Sequence, residues 1–178
     1  MKDPHLARRI LAMFQEDQDA RYAAMKDLGN WNLRLKIKKI DVRNTEAAKS
    51  IVRRMGWPTF DMIGKKASHA FWLIVQHSDL ERRFQAKCLG LLKEAVVKKQ
   101  AHPKDLALLT DRVLVAQGKK QLFGTQFHRK GETLIPQPIR DRKGLEARRK
   151  AHGLGSFAAN LRKMSLRAKK LGIGRTKR

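Results

Sequence analysis

The sequence predicts a mainly α-helical protein: a single compact helical domain over residues 1–161 with one small β-hairpin at about residues 121–138, and a basic C-terminal helix and extension over residues 162–178. Three observations carry that expectation. Apolar residues recur at three- and four-residue spacing in segment after segment, each bounded by proline, glycine or a capping side chain. The run "AFWLIVQ" is apolar all round a helical wheel, so it demands a central place. A single "RKG" turn separates two short extended runs, the pattern of a hairpin. With 178 residues, 42% of them hydrophobic, the chain can bury one substantial core.

The first helix begins at Asp3, an N-cap followed by Pro4 at the first helical position, and carries Leu6, Ile10, Met13, Ala20 and Ala24 on one face before Gly29. In "NWNLRLKIKKID" the apolar residues Leu33, Leu35 and Ile37 alternate with Arg34, Lys36 and Lys38, which reads as a strand, with a short basic helix as the alternative. Asn44 then caps a helix that places Ala48, Ile51, Val52 and Met55 together, and "GWP" stops it, since a residue before proline avoids the α region. The apolar helix Ala67 to Gln76 follows. The next segment is amphipathic, with Phe84, Cys88, Leu91, Leu92 and Ala95 inward. Another helix opens at Pro103 and closes at Gly118. After the hairpin, "DRKGLEARRKAHG" and "SFAANLRKMSLRAKKLG" supply two more helices.

Charge points to anionic surroundings. The net charge is +25, and residues 140–178 hold +12 of it. Such a balance favours RNA, DNA or anionic lipid surfaces. One cysteine, Cys88, rules out an internal disulfide framework or a cysteine-based zinc site and fits a reducing, cytoplasmic setting. No run of about 18 apolar residues is present and the N-terminus lacks the apolar core of a secretory signal, so neither a membrane span nor export is expected.

The blocks "GWPTFDMIG", "AFWLIVQHSD", "FQAKCLGLL", "LTDRVLVAQGKKQLFGTQF" and "PIRDRKGLEARRKAHGL" occur in the order seen in a widespread bacterial domain family of unknown function, and "EDQDAR" and "DVRNT" fit its N-terminal half. The chain resembles that family over roughly residues 5–161. The resemblance implies a domain but no activity. Where such proteins read tyrosine before "GTQ", this chain has Phe123.

Polar side chains stranded among apolar neighbours mark the candidate site. On the wheel of "DLALLTDRVLVAQ", Asp111 falls between Leu114 and Val115, and Arg112 between Leu108 and Ala116. Buried charges persist only when paired or hydrogen-bonded. Gln76 and His77 end the apolar helix with the same need, and Gln121 and Gln126 flank "LFGT". The expectation is one cleft binding a small polar or anionic ligand. In it His77 is the general acid or base and Asp111 orients it. Arg112, with its rigid fork, holds an anion, while Gln76, Gln121 and Gln126 read polar groups. Asp17, Gln18 and Arg21 are second-tier members. Gly124 would let a ligand approach the hairpin backbone. The competing reading of the same residues is structural: ion pairs and hydrogen bonds that tie segments together.

A rival function lies in the C-terminal helix. Phe157, Leu161, Met164, Ala168 and Leu171 form its apolar stripe, while Arg162, Lys163, Arg167, Lys169 and Lys170 cover the rest. That pattern suits an accessory protein bound to an RNA or DNA backbone through salt-sensitive phosphate contacts. Trp31, followed by "RLKIKK", could stack on a base. The six scattered histidines contain no HExxH, and no phosphate-loop, nucleophile-elbow or dinucleotide motif is present; no metal or cofactor is expected, and no motif fixes an enzymatic reaction.

Overall fold

The computed structural model describes residues 2–131 and 133–170, with the side chain of Lys170 outside that set; "GRTKR" at the end of the expected extension lies outside the described residues. Among those residues there are seven α-helices and one two-stranded antiparallel sheet, in the order α1 (Pro4–Lys26), α2 (Trp31–Met55), α3 (Phe60–Gln76), α4 (Arg82–Val97), α5 (Pro103–Ala116), β1 (Phe127–Lys130), β2 (Thr133–Pro136), α6 (Leu145–Ala151) and α7 (Phe157–Lys170). The fold is mainly α, as the periodicity predicts. The chain forms two compact units, Met1–Asp105 and Leu106–Arg178.

In the first unit α3 is central, packing against α1, α2 and α4. The apolar run explains why: Phe71, Trp72, Ile74 and Val75 are all buried, as full-circumference hydrophobicity requires. Before the run, Gly64 breaks the helix with φ of +80°, a conformation that costs glycine least. α1 starts as expected, with the Asp3 carboxylate accepting the Leu6 N–H at 2.8 Å and Pro4 following. α4 buries Phe84, Gln85, Cys88, Leu92 and Ala95. Burial pushes the Cys88 thiol up to about 12, so it stays protonated and behaves as a small apolar side chain.

The strand reading of residues 31–40 is overturned. Trp31 to Met55 is one continuous helix, capped by the Asn30 side chain on the Leu33 N–H at 3.2 Å. Asn44, read as a cap, is buried in its middle and reaches the Met13 carbonyl of α1. The alternation was local; the longer stripe Leu33, Ile37, Ile40, Asn44, Ala48, Ile51 has helical spacing and decides the structure.

The second unit is organised by a fully buried carboxylate. Asp111 of α5 accepts from the backbone N–H groups of Leu122 (2.7 Å), Phe123 (3.0 Å) and Thr125 (2.9 Å), and from the Thr125 hydroxyl (2.9 Å). These donors belong to the connection that leads into β1, so Asp111 shapes that loop much as an anion shapes a nest of amides. Gln121, also fully buried, donates to the carbonyls of Gln126 (3.0 Å) and Gln137 (2.8 Å) and accepts the Gln126 N–H (2.8 Å), closing the base of the hairpin. β1 and β2 pair from Phe127 with Pro136 to Lys130 with Thr133, with Gly131 at the turn as "RKG" predicts. Gly124 has φ of +67°, and a Cβ there would meet the Phe157 ring at 2.6 Å. The space expected for a ligand is therefore filled by Phe157 of α7. The buried Arg149 guanidinium donates to the carbonyls of Phe123 and Gly155.

Asp111→Ala strands several buried amides and should destabilise the second unit by about 3–5 kcal/mol, read as loss of hydrogen-exchange protection across residues 121–137. In the first unit, the His69 imidazole lies 2.9 Å from the buried Asp105 carboxylate. That hydrogen bond, opposed in part by burial, raises the His69 pKa above 6.5. A raised value in the folded state means the stabilisation is full below 6.5 and disappears as pH rises through the higher value. Wild-type melting temperature should fall relative to His69→Gln over that interval.

Candidate functional site

The candidate site lies in the first unit, where α1, α2 and the end of α3 meet. Asp17 belongs to α1, and its side chain is 4% exposed. Its Oδ2 lies 3.0 Å from Nδ1 of His77, the residue that caps α3. An ionised carboxylate only accepts, so Nδ1 carries the proton and Nε2 keeps its lone pair in the neutral ring. One turn along α1 from Asp17, Arg21 donates from Nε to Asp17 Oδ1 at 2.9 Å and from a terminal nitrogen to Asp41 of α2. Gln18 adds a donor to Asp17 at 2.8 Å. The cluster joins three helices through Asp17 and Arg21.

The two carboxyl groups are pushed in opposite directions. Burial alone would raise Asp17, but the hydrogen bond and charge of His77, then Arg21 and Gln18, outweigh it and hold the carboxyl below the usual 3.8. Asp41 stays above its ordinary value, because burial prevails over the opposing Arg21. Asp17 is thus the carboxyl held ionised beside the imidazole, and Asp41 is the carboxyl more readily protonated. Donor atoms of Asp17, Asp41 and His77 lie within 4.8 Å of one another, near enough to share a cation. The Arg21 guanidinium bridges the two carboxylates and supplies positive charge there.

Beside the cluster is a cavity of about 300 Å³ between α2 and the α3–α4 connection. Its α2 wall is a helical stripe comprising Arg34, Ile37, Lys38, Asp41, Val42, Thr45 and Glu46, and the opposite wall is His77 to Glu81. The Thr45 and Ser78 hydroxyls, 2.9 Å apart, bind the two walls together and reach the carbonyls of Asp41 and Ile74. Gln85 of α4 donates toward the Val75 and Gln76 carbonyls at 3.2 Å and Asp79 at 3.1 Å, which satisfies the end of α3 and fixes the connection that carries His77. Glu46 and Glu81 share one cation, Lys49, at 2.8 and 2.9 Å. Arg34 donates to the Leu28 carbonyl, so its charge is not offset by a carboxylate, and Lys38 has no ion-pair partner among the described residues. The lining thus sets the cations Arg34 and Lys38 beside the carboxylates Asp41, Glu46, Asp79 and Glu81.

His77 follows the last residue of the apolar helix and lines the cavity. Its orienting carboxylate is Asp17, which the sequence reading ranks second; Asp111 spends its oxygens on the loop of the second unit. Gln76 is buried, outside the lining of the cavity, with Oε1 unsatisfied. Gln121 and Gln126 serve the hairpin, Gln126 donating to the Thr125 hydroxyl at 3.2 Å. Arg112 is half-buried on α5. Asp41, Thr45 and Ser78 are absent from the sequence-based set. The signal for Asp41 and Thr45 is their four-residue spacing, visible only once residues 31–55 are read as one helix.

The model of a family described as "Family of unknown function (DUF6624)" matches residues 4–169. No curated protein and no solved structure matches the chain.

The depressed Asp17 carboxyl fixes a sign for acid denaturation. Its contribution is present above 3.8 and lost as pH falls through the lowered value. Asp17→Asn should cost the first unit about 2–3 kcal/mol near neutrality, in urea titrations, with the difference from wild type closing at low pH.

Proposed function

The chain belongs to this family of unknown function, and from the geometry of the first unit we propose that it binds a small polar or anionic ligand beside α2 and acts on it through His77. The observation that carries this reading is the buried Asp17 carboxylate holding Nδ1 of a histidine that lines a cavity. That arrangement fixes the tautomer and leaves Nε2, which has no partner among the described residues, able to take a proton and return it. Apolar walls from Ile37, Val42 and Leu80 would exclude water from part of a ligand, while Arg34 and Lys38 would hold its anionic end. The role expected of Arg112 passes to these two cations in this reading.

A metabolite screen by thermal shift tests it. A stabilising ligand is expected whose effect weakens in Lys38→Ala. If the ligand turns over, His77→Ala should slow turnover by about 100- to 10,000-fold while retaining binding. A ligand whose binding and turnover are indifferent to both substitutions would reject the site.

The second reading, nucleic-acid association, is supported by α7. Phe157 and Ala168 are buried, Leu161 and Met164 half-buried, and Arg162, Lys163, Arg167 and Lys169 are exposed on a helix without one acidic residue. Lys170 belongs to the same helix. Such a ridge would engage phosphates without reading bases. Retention on RNA should fall steeply between low and physiological salt and should be lost on deleting residues 162–178; salt-insensitive retention would contradict it.

A further inference from the structure

Exposed apolar side chains are concentrated at one place. Of the ten large hydrophobic residues exposed among the described residues, five lie within the fourteen residues around the α1–α2 connection: Tyr22 (63% exposed), Met25 (47%), Leu28 (43%), Trp31 (66%) and Leu35 (37%). Tyr22 and Met25 share the last turns of α1, Trp31 and Leu35 share the first turns of α2, and Leu28 sits in the short connection between them. A helical hairpin tip that displays an indole, a phenol and three aliphatic or thioether chains to water is costly unless something covers it.

Charge identifies the cover. Lys26, Arg34, Lys36, Lys38 and Lys39 are all exposed on the same stretch, against the single acid Asp27. Lys26 arches over the Tyr22 ring at 4.4 Å, placing its ammonium beside the apolar surface. A second copy of the chain would bring another +25 against this tip, which disfavours self-association. A nucleic acid would satisfy the cations and stack on Trp31, but Met25, Leu28 and Leu35 offer no face to a base. An anionic bilayer satisfies both sets at once: indole and phenol at the headgroup level, aliphatic chains below them, lysines and arginine on the phosphates. No helix of the described residues is long and apolar enough to cross a membrane, so the attachment is peripheral.

We propose that the α1–α2 hairpin tip docks the protein on the surface of an anionic phospholipid membrane. This stands independently of the role of His77.

The test is vesicle flotation of the full chain. With an equimolar mixture of phosphatidylcholine and phosphatidylglycerol the protein should float; with phosphatidylcholine alone it should not. Trp57 and Trp72 are each only 5% exposed, so a blue shift on binding, and quenching by brominated acyl chains, would report Trp31. The double substitution Trp31→Ala, Leu28→Ser changes exposed positions only and should leave the melting temperature unchanged while lowering partitioning about tenfold. Lys36→Glu with Lys39→Glu should lower it further at low salt than at high salt. Unaltered flotation of the Trp31, Leu28 variant would overturn the proposal. So would Trp31 emission that responds to RNA but not to vesicles, or a dimer that the same double substitution abolishes.

Discussion

The meeting of α1, α2 and α3 depends on the buried Asp17 carboxylate. Asp17 faces a penalty for leaving water that only partners can offset, and its partners come from its own helix and from His77 at the end of α3. Through Arg21 it is also tied to Asp41 on α2. Position follows from chemistry here: the end of the apolar helix comes to rest where the carboxylate of α1 can accept its imidazole N–H, and the cavity wall is then set by whatever α2 and the α3–α4 connection place beside it.

The second unit solves the same problem differently, and the difference bears on function. Asp111 is as deeply buried as any residue of the chain, yet its oxygens go to backbone amides and one threonine hydroxyl. Those donors have fixed protons and no titration near neutrality, so the group can shape a loop and hold it. Asp17 is satisfied by an imidazole, which can gain and lose a proton, beside a space a ligand can enter. Of these two buried carboxylates, only Asp17 is coupled to a group that can gain and lose a proton.

Much of the fold is legible in the sequence because its signals are long or rigid. Proline at Pro4 and Pro103, glycine at Gly118 and Gly131, and the all-round apolar run of α3 act locally and are decisive there. The site was less legible. A wheel shows that Asp111 needs partners without saying which, since partners come from tertiary packing. The alternation of Leu33, Leu35 and Ile37 over a few residues imitates a strand, and breaking α2 at that point hides the stripe from Arg34 to Thr45 that forms the cavity wall. Gly124 reads as open space for a ligand, because nothing in the local sequence announces that Phe157, thirty-three residues later, occupies it.

The central claim is that Asp17 holds the Nδ1 proton of His77 and leaves Nε2 unprotonated in the neutral ring. Long-range proton–nitrogen correlation spectra of the labelled protein, recorded at alkaline pH with Asp17→Ala for comparison, address it directly. The account requires His77 to show a protonated Nδ1 in the wild type and to move toward the other tautomer, or a mixture, in the variant. A wild-type ring protonated on Nε2, or spectra identical in the two proteins, would contradict it.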